Sequence, residues 1–318
     1  MNVQINTIHA GDMIEGFYLL VEAQIRTAAD GEPYLTAKLG DQTGSIEAKM
    51  WKYTGNIGSA DNGKIVKVRG KASEYKGKSQ LVIEKLRLRT EQDAVDISIL
   101  VPTAPIDVDQ ALSEIDTLLG SITDPDYRNI CETMLAAHIG TFSRIPAALR
   151  VHHAFLCGLL MHTLYMMRMA DFLAGLYNSF IDRDLILAAT FLHDFGKVQE
   201  FLYSDTGLVT DYSMKGQLLG HLVMGAMEVA QLSAELGIPE EKSVLLQHLI
   251  LSHHGEPEFG AAVRPACAES ELLAQIDMLD SKMEQIRELM EKTANCTFSE
   301  KSFFLGGRRY FKHTIGVQ

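Results

Sequence analysis

The sequence predicts two folds in succession, a small five-stranded β-barrel followed by an all-α helical bundle. Short runs rich in Val, Ile, Thr and aromatic residues, alternating with period two and separated by Asp-Gly and Thr-Gly turns, occupy residues 13–89. From Thr90 to Asp109 the composition shifts to Glu91, Asp93 and Asp96 and then to Pro102 and Pro105, which reads as a linker. Beyond it apolar residues recur with helical period, punctuated by capping residues, to about residue 292. The expected domains are a barrel over 1–90, a linker over 91–108, a helical domain over 109–292, and a basic, aromatic tail over 293–318 that packs on the helical domain.

In the first part Met13–Thr27 is one long apolar run, and Pro33–Leu39 and Ser45–Trp51 are short ones. Asp30-Gly31 and Asp41-Gln42-Thr43-Gly44 supply the turns. A Gly/Asn/Ser-rich connector, Lys52 to Asn62, has room for one helical turn. It leads to Lys64–Glu74 and Lys78–Arg89, joined by Tyr75-Lys76-Gly77. Five strands in this order, the first long and with the connector between the third and fourth, predict an OB-type barrel. The run from Tyr34 to Trp51, two strands meeting at an Asp-x-Thr-Gly turn, resembles the nucleic-acid-binding OB family.

Successive side chains of a strand face opposite ways. Leu35, Ala37, Leu39, Ile46, Ala48 and Met50 therefore make the core side of the second and third strands, and Val66, Val68, Gly70 and Ala72 that of the fourth. The other side carries Tyr34, Thr36, Lys38, Lys49 and Trp51, with Lys67, Arg69 and Lys71. Cations interleaved with aromatics suit single-stranded nucleic acid, whose phosphates need neutralising and whose bases stack at roughly 1–3 kcal/mol each. Tyr75 and Lys76 at the next turn, and Arg308, Arg309 and Tyr310 in the tail, extend the candidate binding set. The competing reading is a solvated outer face whose aromatics cap the barrel, and Glu47 on that face counts against binding.

In the second part Asp107 or Asp109 can cap Gln110–Leu119, and Asp124-Pro125 begins Asp126–His138. Ala154–Tyr177 is apolar on nearly every side and so interior. Asp182 can cap a helix that ends at His193; a loop from Tyr203 to Lys215 precedes Gln217–Leu236, which Gly237 closes. Pro239 opens a helix ending at His253-His254-Gly255, and Glu269–Glu291 carries Asp277 and Asp280.

Phe191-Leu192-His193-Asp194-Phe195-Gly196-Lys197 delivers a histidine and an aspartate to the end of a buried helix, after which Gly196 is expected to turn the chain. Imidazole and carboxylate are both good ligands for a divalent ion. Neighbours on a helix point about 100° apart, so both reach one ion only where the helix ends. His162, His221, His253, His254 and Asp277 lie in similar apolar helical settings. For one buried histidine a hydrogen bond to a carbonyl is the ordinary explanation, because an unsatisfied buried polar group costs about 1–3 kcal/mol. Repeated for each of these residues, that explanation is weaker than a shared metal site.

The order His162, His193-Asp194, His221, His253-His254, Asp277 resembles the HD-domain metal-dependent phosphohydrolases. The resemblance implies a first ion on His162, His193, Asp194 and Asp277, with Asp194 able to bridge to a second. It matches His221 and His253 to the further histidines of two-metal members, with His254 replacing or assisting His253. Lys197 matches a lysine that could neutralise a phosphate oxygen, the alternative being a solvated lysine after a helix end. His153, beside Arg150, is a candidate for substrate contact or for a structural role at a helix start. His248 is read as packing. One or two divalent ions are expected, with manganese implied first by the resemblance; a His/carboxylate set without Cys also fits iron or zinc, and cobalt or nickel less directly. Cys157 and Met161 depart from the family, standing where Gly and Glu are expected. Met161 puts in doubt a carboxylate that would orient His162.

The net charge of −12 looks wrong for a nucleic-acid protein, but residues 1–100 carry 13 basic and 13 acidic groups and 61–90 carry nine against three. The barrel is therefore neutral with a basic stripe. Cys131, Cys157, Cys267 and Cys296 are scattered, which suits a reducing cytoplasm and argues against both a disulfide framework and a zinc ribbon. Met1 to Asp12 is polar, so no signal peptide is expected, and no apolar run reaches the roughly 18 residues of a membrane span.

An OB barrel followed by an HD domain, entered through His152-His153-Ala154-Phe155-Leu156-Cys157, is similar to the YhaM-type 3′–5′ exoribonucleases. The resemblance implies a cytoplasmic nuclease acting on single-stranded RNA, with DNA as a second substrate, no membrane partner, and room for a homo-oligomer. Two other readings remain at this level: hydrolysis of small or cyclic nucleotides with the barrel regulating it, and nucleic-acid binding without catalysis.

Overall fold

The computed structural model describes residues 2–75, 78–148, 155–204 and 206–314, without the side chains of Tyr75 and Lys78. Lys76 and His153 lie outside the described residues. The chain divides into two compact units, Met1–Thr103 with Tyr203–Thr210, and Ala104–Leu202 with Asp211–Gln318.

In the first unit β1 (Met13–Thr27), β2 (Pro33–Asp41), β3 (Gly44–Met50), β4 (Ile65–Tyr75) and β5 (Lys78–Leu88) form a closed barrel in the order β1-β2-β3-β5-β4. The length of β1 makes closure possible: Met13–Leu19 pairs with β4 and Leu19–Thr27 with β2, the register shifting between Leu20 and Glu22. A parallel pairing of β3 with β5 completes the ring. Alternation fills the interior as expected, with Leu35, Ala37, Leu39, Ile46, Ala48, Val66, Val68 and Ala72 buried and Met50 partly so. The Asp-x-Thr-Gly turn is held by Asp41, whose Oδ1 accepts from the Thr43 amide at 2.7 Å and its hydroxyl at 2.6 Å while Oδ2 accepts from the Ile5 amide at 2.7 Å.

The second unit is helical. Its elements are α1 (Val108–Gly120), α2 (Pro125–Phe142), α3 (Gly158–Leu176), α4 (Arg183–Leu192), α5 (Lys197–Glu200), α6 (Met214–Leu236), α7 (Glu240–Ser252) and α8 (Ala268–Glu291). Asp107, Asp124 and Asp182 cap α1, α2 and α4, accepting backbone amides of the first turn. Every residue from Leu185 to Leu192 is buried, so α4 is the central helix. Two short strand pairs complete the inventory: β6 (Phe201–Tyr203) with β7 (Val209–Tyr212), and β8 (Thr297–Phe298) with β9 (Phe311–Lys312).

Three expectations need correcting. Helix α3 begins at Gly158, not Ala154, because Cys157 adopts φ 61, ψ 15, where an L side chain crowds the backbone and a helix cannot run through. The Tyr203–Lys215 loop contains β7, which pairs with β6 just before it. Helix α6 begins at Met214 and is broken at Gly220, whose φ of 71 and ψ of 160 are open to glycine alone.

Candidate functional site

Helix α4 ends at Leu192, with His193 as its C-cap, and the chain passes through Asp194, Phe195 and Gly196 into α5. The junction of two short helices is what lets adjacent side chains face one point. Gly196 lies in the turn between α4 and α5, but its φ of −54 is helical and open to any residue. Its lack of a side chain serves a close approach instead, since a Cβ there would sit 2.2 Å from the His221 carbonyl oxygen. Helix α6 thereby comes close enough to present His221. The break at Gly220 frees the His221 amide, which donates to Glu200 Oε1 at 3.0 Å, and the His221 Nδ1 lies 3.1 Å from the same oxygen.

His162, His193, His221 and His253 are each oriented by a partner that can only accept. His193 Nδ1 donates to the Thr190 carbonyl at 2.6 Å, and His253 Nδ1 to the Ile250 carbonyl at 2.7 Å. His162 Nδ1 donates to Asp280 Oδ2 at 2.7 Å. In His193, His253 and His221 the Nε2 lone pair is thus left for the site. His162 Nε2 lies 3.2 Å from His193 Nε2, 3.3 Å from Asp277 Oδ1 and 3.6 Å from Asp194 Oδ2.

Asp194 stands between two sets of imidazoles. Its Oδ2 is 3.4 Å from His193 Nε2, and its Oδ1 is 3.5 Å from His221 Nε2 and 3.7 Å from His253 Nε2. Three overlapping groups of donor atoms result, each within 4.8 Å: His162, His193, Asp277; His193, Asp194, His253; and His221, His253, His254. Asp194 Oδ1, His221 Nε2 and His254 Nδ1 are buried with no hydrogen-bond partner among the described residues. A cation taking lone pairs from all three removes a cost that hydrogen bonding leaves in place, so the donors fit a divalent metal. The set of nitrogens and carboxylate oxygens, without sulfur, suits an ion of intermediate hardness. Both His253 and His254 belong to it.

The electrostatics agree. Burial raises the Asp194 carboxyl, but Lys197 and the neighbouring His193 and His221 outweigh it and hold the group well below the usual carboxylate range. Burial likewise raises Asp277, and His162 outweighs it. Burial pushes His253 and His254 down, keeping their imidazoles neutral. Lys197 Nζ donates to Asp194 Oδ2 at 2.6 Å.

Two residues were missed by sequence reasoning. Asp280 replaces the carboxylate that Met161 appeared to remove; it lies one helical turn after Asp277 on α8, a spacing that could have revealed it. Glu200, buried and carrying His221, lies one turn after Lys197. His248 accepts from the Ala266 amide at 3.0 Å, a packing role.

On the barrel Tyr34 and Trp51 stack at 4.9 Å between centroids, and the Lys49 ammonium lies 5.6 Å from the Trp51 ring. Thr36 pairs with Lys49 and Lys38 with Glu47, so these side chains share the outer face of β2 and β3. Lys49 of β3 and Lys71 of β4 both lie opposite Val82 of β5, so the cations of β4 follow those of β3 around the outside of the barrel. Strand β4 is flanked by β1 and β5. There Lys67 lies 3.4 Å from Glu15 and 5.5 Å from the Phe17 ring, and Arg69 lies 3.7 Å from Glu84. Arg308 and Arg309 are exposed in the tail, with Tyr310 half-buried.

Among the described residues, no helix is long and apolar enough to cross a membrane. A family model for an OB-fold nucleic acid binding domain matches residues 19–89, and one for the HD domain matches 159–282. Among solved structures, the second OB-fold domain of replication protein A from Methanococcus maripaludis is 17% identical; the match covers 30% of this chain and all of that one, at a TM-score of 0.24. The 3′–5′ exoribonuclease YhaM of Bacillus subtilis (strain 168) is 36% identical over 308 residues, 96% of each chain. That of Halalkalibacterium halodurans is 35% identical over 303 residues, 95% of this chain and 93% of its own. With that identity along nearly its whole length, the chain belongs to the YhaM family of 3′–5′ exoribonucleases.

Proposed function

We propose that this chain is a metal-dependent 3′–5′ exoribonuclease that shortens single-stranded RNA, and DNA as a second substrate, to nucleoside 5′-monophosphates. The observation that carries the reading is the placement of Asp194, with one oxygen toward His162 and His193 and the other toward His221 and His253. His162, His193, Asp194 and Asp277 would hold one divalent ion, and His221, His253 and His254 beside Asp194 would hold a second. A divalent ion, when bound, supplies Lewis-acid activation of water and of the phosphoryl group.

The chain's own groups position the reaction. Thr190, Ile250, Asp280 and Glu200 fix the imidazole rotamers, so the donor array is ordered before substrate arrives. Lys197 holds Asp194 in place and brings a positive charge to where a phosphate oxygen gathers negative charge. Water attacks phosphorus and the bond to the upstream O3′ breaks. The shortened strand keeps a 3′-hydroxyl, and the released nucleoside keeps the phosphate. Affinity for the strand comes from Tyr34, Lys38, Lys49 and Trp51 on the barrel, extended by Lys67, Arg69, Lys71, Tyr75 and Lys76. His153 contacts substrate in this reading. Manganese is the metal of first choice, by family resemblance, and four free cysteines fit a cytoplasmic enzyme.

The test is a 5′-labelled single-stranded RNA incubated with the protein and Mn²⁺. A descending ladder with nucleoside 5′-monophosphate is the expected result. An uncut oligomer under conditions where mononucleotides or cyclic nucleotides are hydrolysed would overturn the reading, and so would an oligomer bound but never cut.

A further inference from the structure

Lys312 Nζ donates to the Met290 carbonyl at 2.7 Å and the Thr293 carbonyl at 3.0 Å, tying β9 to the end of α8. Ser299 and Leu305 are buried. Between these anchors the chain folds back, Thr297 pairing with Lys312, Phe298 with Phe311, and Ser302 bridging to Arg308. Because strand side chains alternate, the face that carries Lys312 toward α8 turns Phe298 and Phe311 the other way. Those rings sit 5.2 Å apart, and the Arg309 guanidinium lies 5.6 Å from the Phe298 ring. Phe303 and Phe304 stand at the tip.

Four phenylalanines are therefore set in water, Phe298 at 58%, Phe303 at 88%, Phe304 at 66% and Phe311 at 48% exposure. Nothing in the hairpin's own stability asks for this, since each ring would be better buried. The surrounding charge says what suits the surface. The hairpin carries Lys301, Arg308, Arg309 and Lys312 against Glu300 alone, although residues 101–318 as a whole hold the chain's net charge of −12. No carboxylate pairs with Arg308 or Arg309 among the described residues; each guanidinium donates its Nε–H to a backbone carbonyl, Leu305 and Ser299. Open aromatic faces flanked by unneutralised guanidinium groups are the requirements of a stacking platform for single-stranded nucleic acid.

We propose that the hairpin 297–312 is a second single-strand binding surface, separate from the barrel, in which Phe298 and Phe311 stack on bases and Arg309 meets the phosphates. The proposal rests on the exoribonuclease reading for the identity of the strand. The test is fluorescence anisotropy with the intact chain and a 5′-labelled single-stranded RNA of about twenty nucleotides, in chelator so that the strand stays whole. Joint Phe298→Ala and Phe311→Ala substitution is expected to raise Kd about tenfold or more, and Arg309→Glu to raise it about threefold or more. Joint Phe298→Tyr and Phe311→Tyr substitution is expected to keep Kd within about twofold, because stacking is retained. Sedimentation velocity of each variant is expected to give the wild-type mass. An unchanged Kd in the double alanine variant overturns the proposal. A fall in mass makes the patch a subunit interface and also overturns it. The enzyme reading is checked separately by adding Mn²⁺ to the wild type: a strand that is shortened, together with an unchanged variant Kd, removes the hairpin and leaves the nuclease. A strand that is bound through the phenylalanines but never shortened removes the nuclease and leaves the hairpin.

Discussion

Across 118 positions of the chain, Nδ1 of His162 donates to Oδ2 of Asp280 at 2.7 Å, and both groups are buried. This one contact fixes the orientation of an imidazole whose other nitrogen faces Asp277 and Asp194. It also answers the doubt raised by Met161: the orienting carboxylate comes from α8 and not from the residue beside His162. Asp280→Ala is expected to lower metal affinity and turnover by about 10–100-fold. Manganese titrations of RNA shortening check this, and Asp280→Asn should recover part of the loss, because an amide oxygen still accepts from Nδ1.

Gly196→Ala tests the close approach of α5 and α6. A Cβ 2.2 Å from the His221 carbonyl oxygen meets backbone, which cannot swing aside as a long side chain can. The substitution is expected to cost about 1–3 kcal/mol by overpacking and to reduce turnover more than Asp280→Ala, because it displaces His221 directly. Urea denaturation and the RNA ladder assay measure the two effects. A variant as stable and active as the wild type would mean that α6 moves freely.

Metal removal should be visible as stability. An ion present at a hundred times its Kd adds about 2.7 kcal/mol to a folded state that binds it, so chelator is expected to lower the melting temperature and Mn²⁺ to restore it. Asp194→Asn should lose turnover altogether and abolish the difference between chelated and metal-loaded melting. A melting temperature indifferent to metal in the wild type would leave the imidazoles as structural hydrogen-bonding groups.

The barrel carries its own reporter, since Trp51 is the chain's one tryptophan. Its ring is stacked on Tyr34 and half open to solvent. Single-stranded RNA is expected to quench Trp51 fluorescence, and Trp51→Ala to weaken binding by about 1–3 kcal/mol. Lys38→Glu should weaken binding with a shallower dependence on salt. Should Lys67→Glu flatten the salt dependence while Lys38→Glu leaves it unchanged, the strand runs along β4 instead.

Much of this was legible in the sequence, for identifiable reasons. Strand alternation and turn chemistry are local, so the five barrel strands were placed within a residue or two of where they lie. Asp107, Asp124 and Asp182 announced their helices because a cap satisfies amides within its own turn. The clustered histidines stood out because imidazoles in apolar runs demand an explanation. What could not be read was non-local or lay in the backbone. Closure of the barrel sets β5 between β3 and β4, and alternation within one strand contains no information about its neighbours. Asp280 and Glu200 looked like ordinary helix acids until their partners arrived from α3 and α6. Gly196 looked like a turn residue, and only the nearness of the His221 carbonyl reveals why no side chain fits there. Cys157, holding φ 61 where family resemblance anticipates glycine, is strained at a cost of roughly 1–2 kcal/mol.

The break at Gly220 has a consequence for how such centres vary. A residue that offers no donor atom to the proposed metal site determines where the His221 imidazole points, and the same holds for Gly196 across from it. A comprehensive substitution scan scored by growth or activity should therefore register intolerance at positions 196 and 220 as severe as at the histidines themselves. Engineering that preserved every donor while treating the glycines as spacers would yield a well-folded and silent protein.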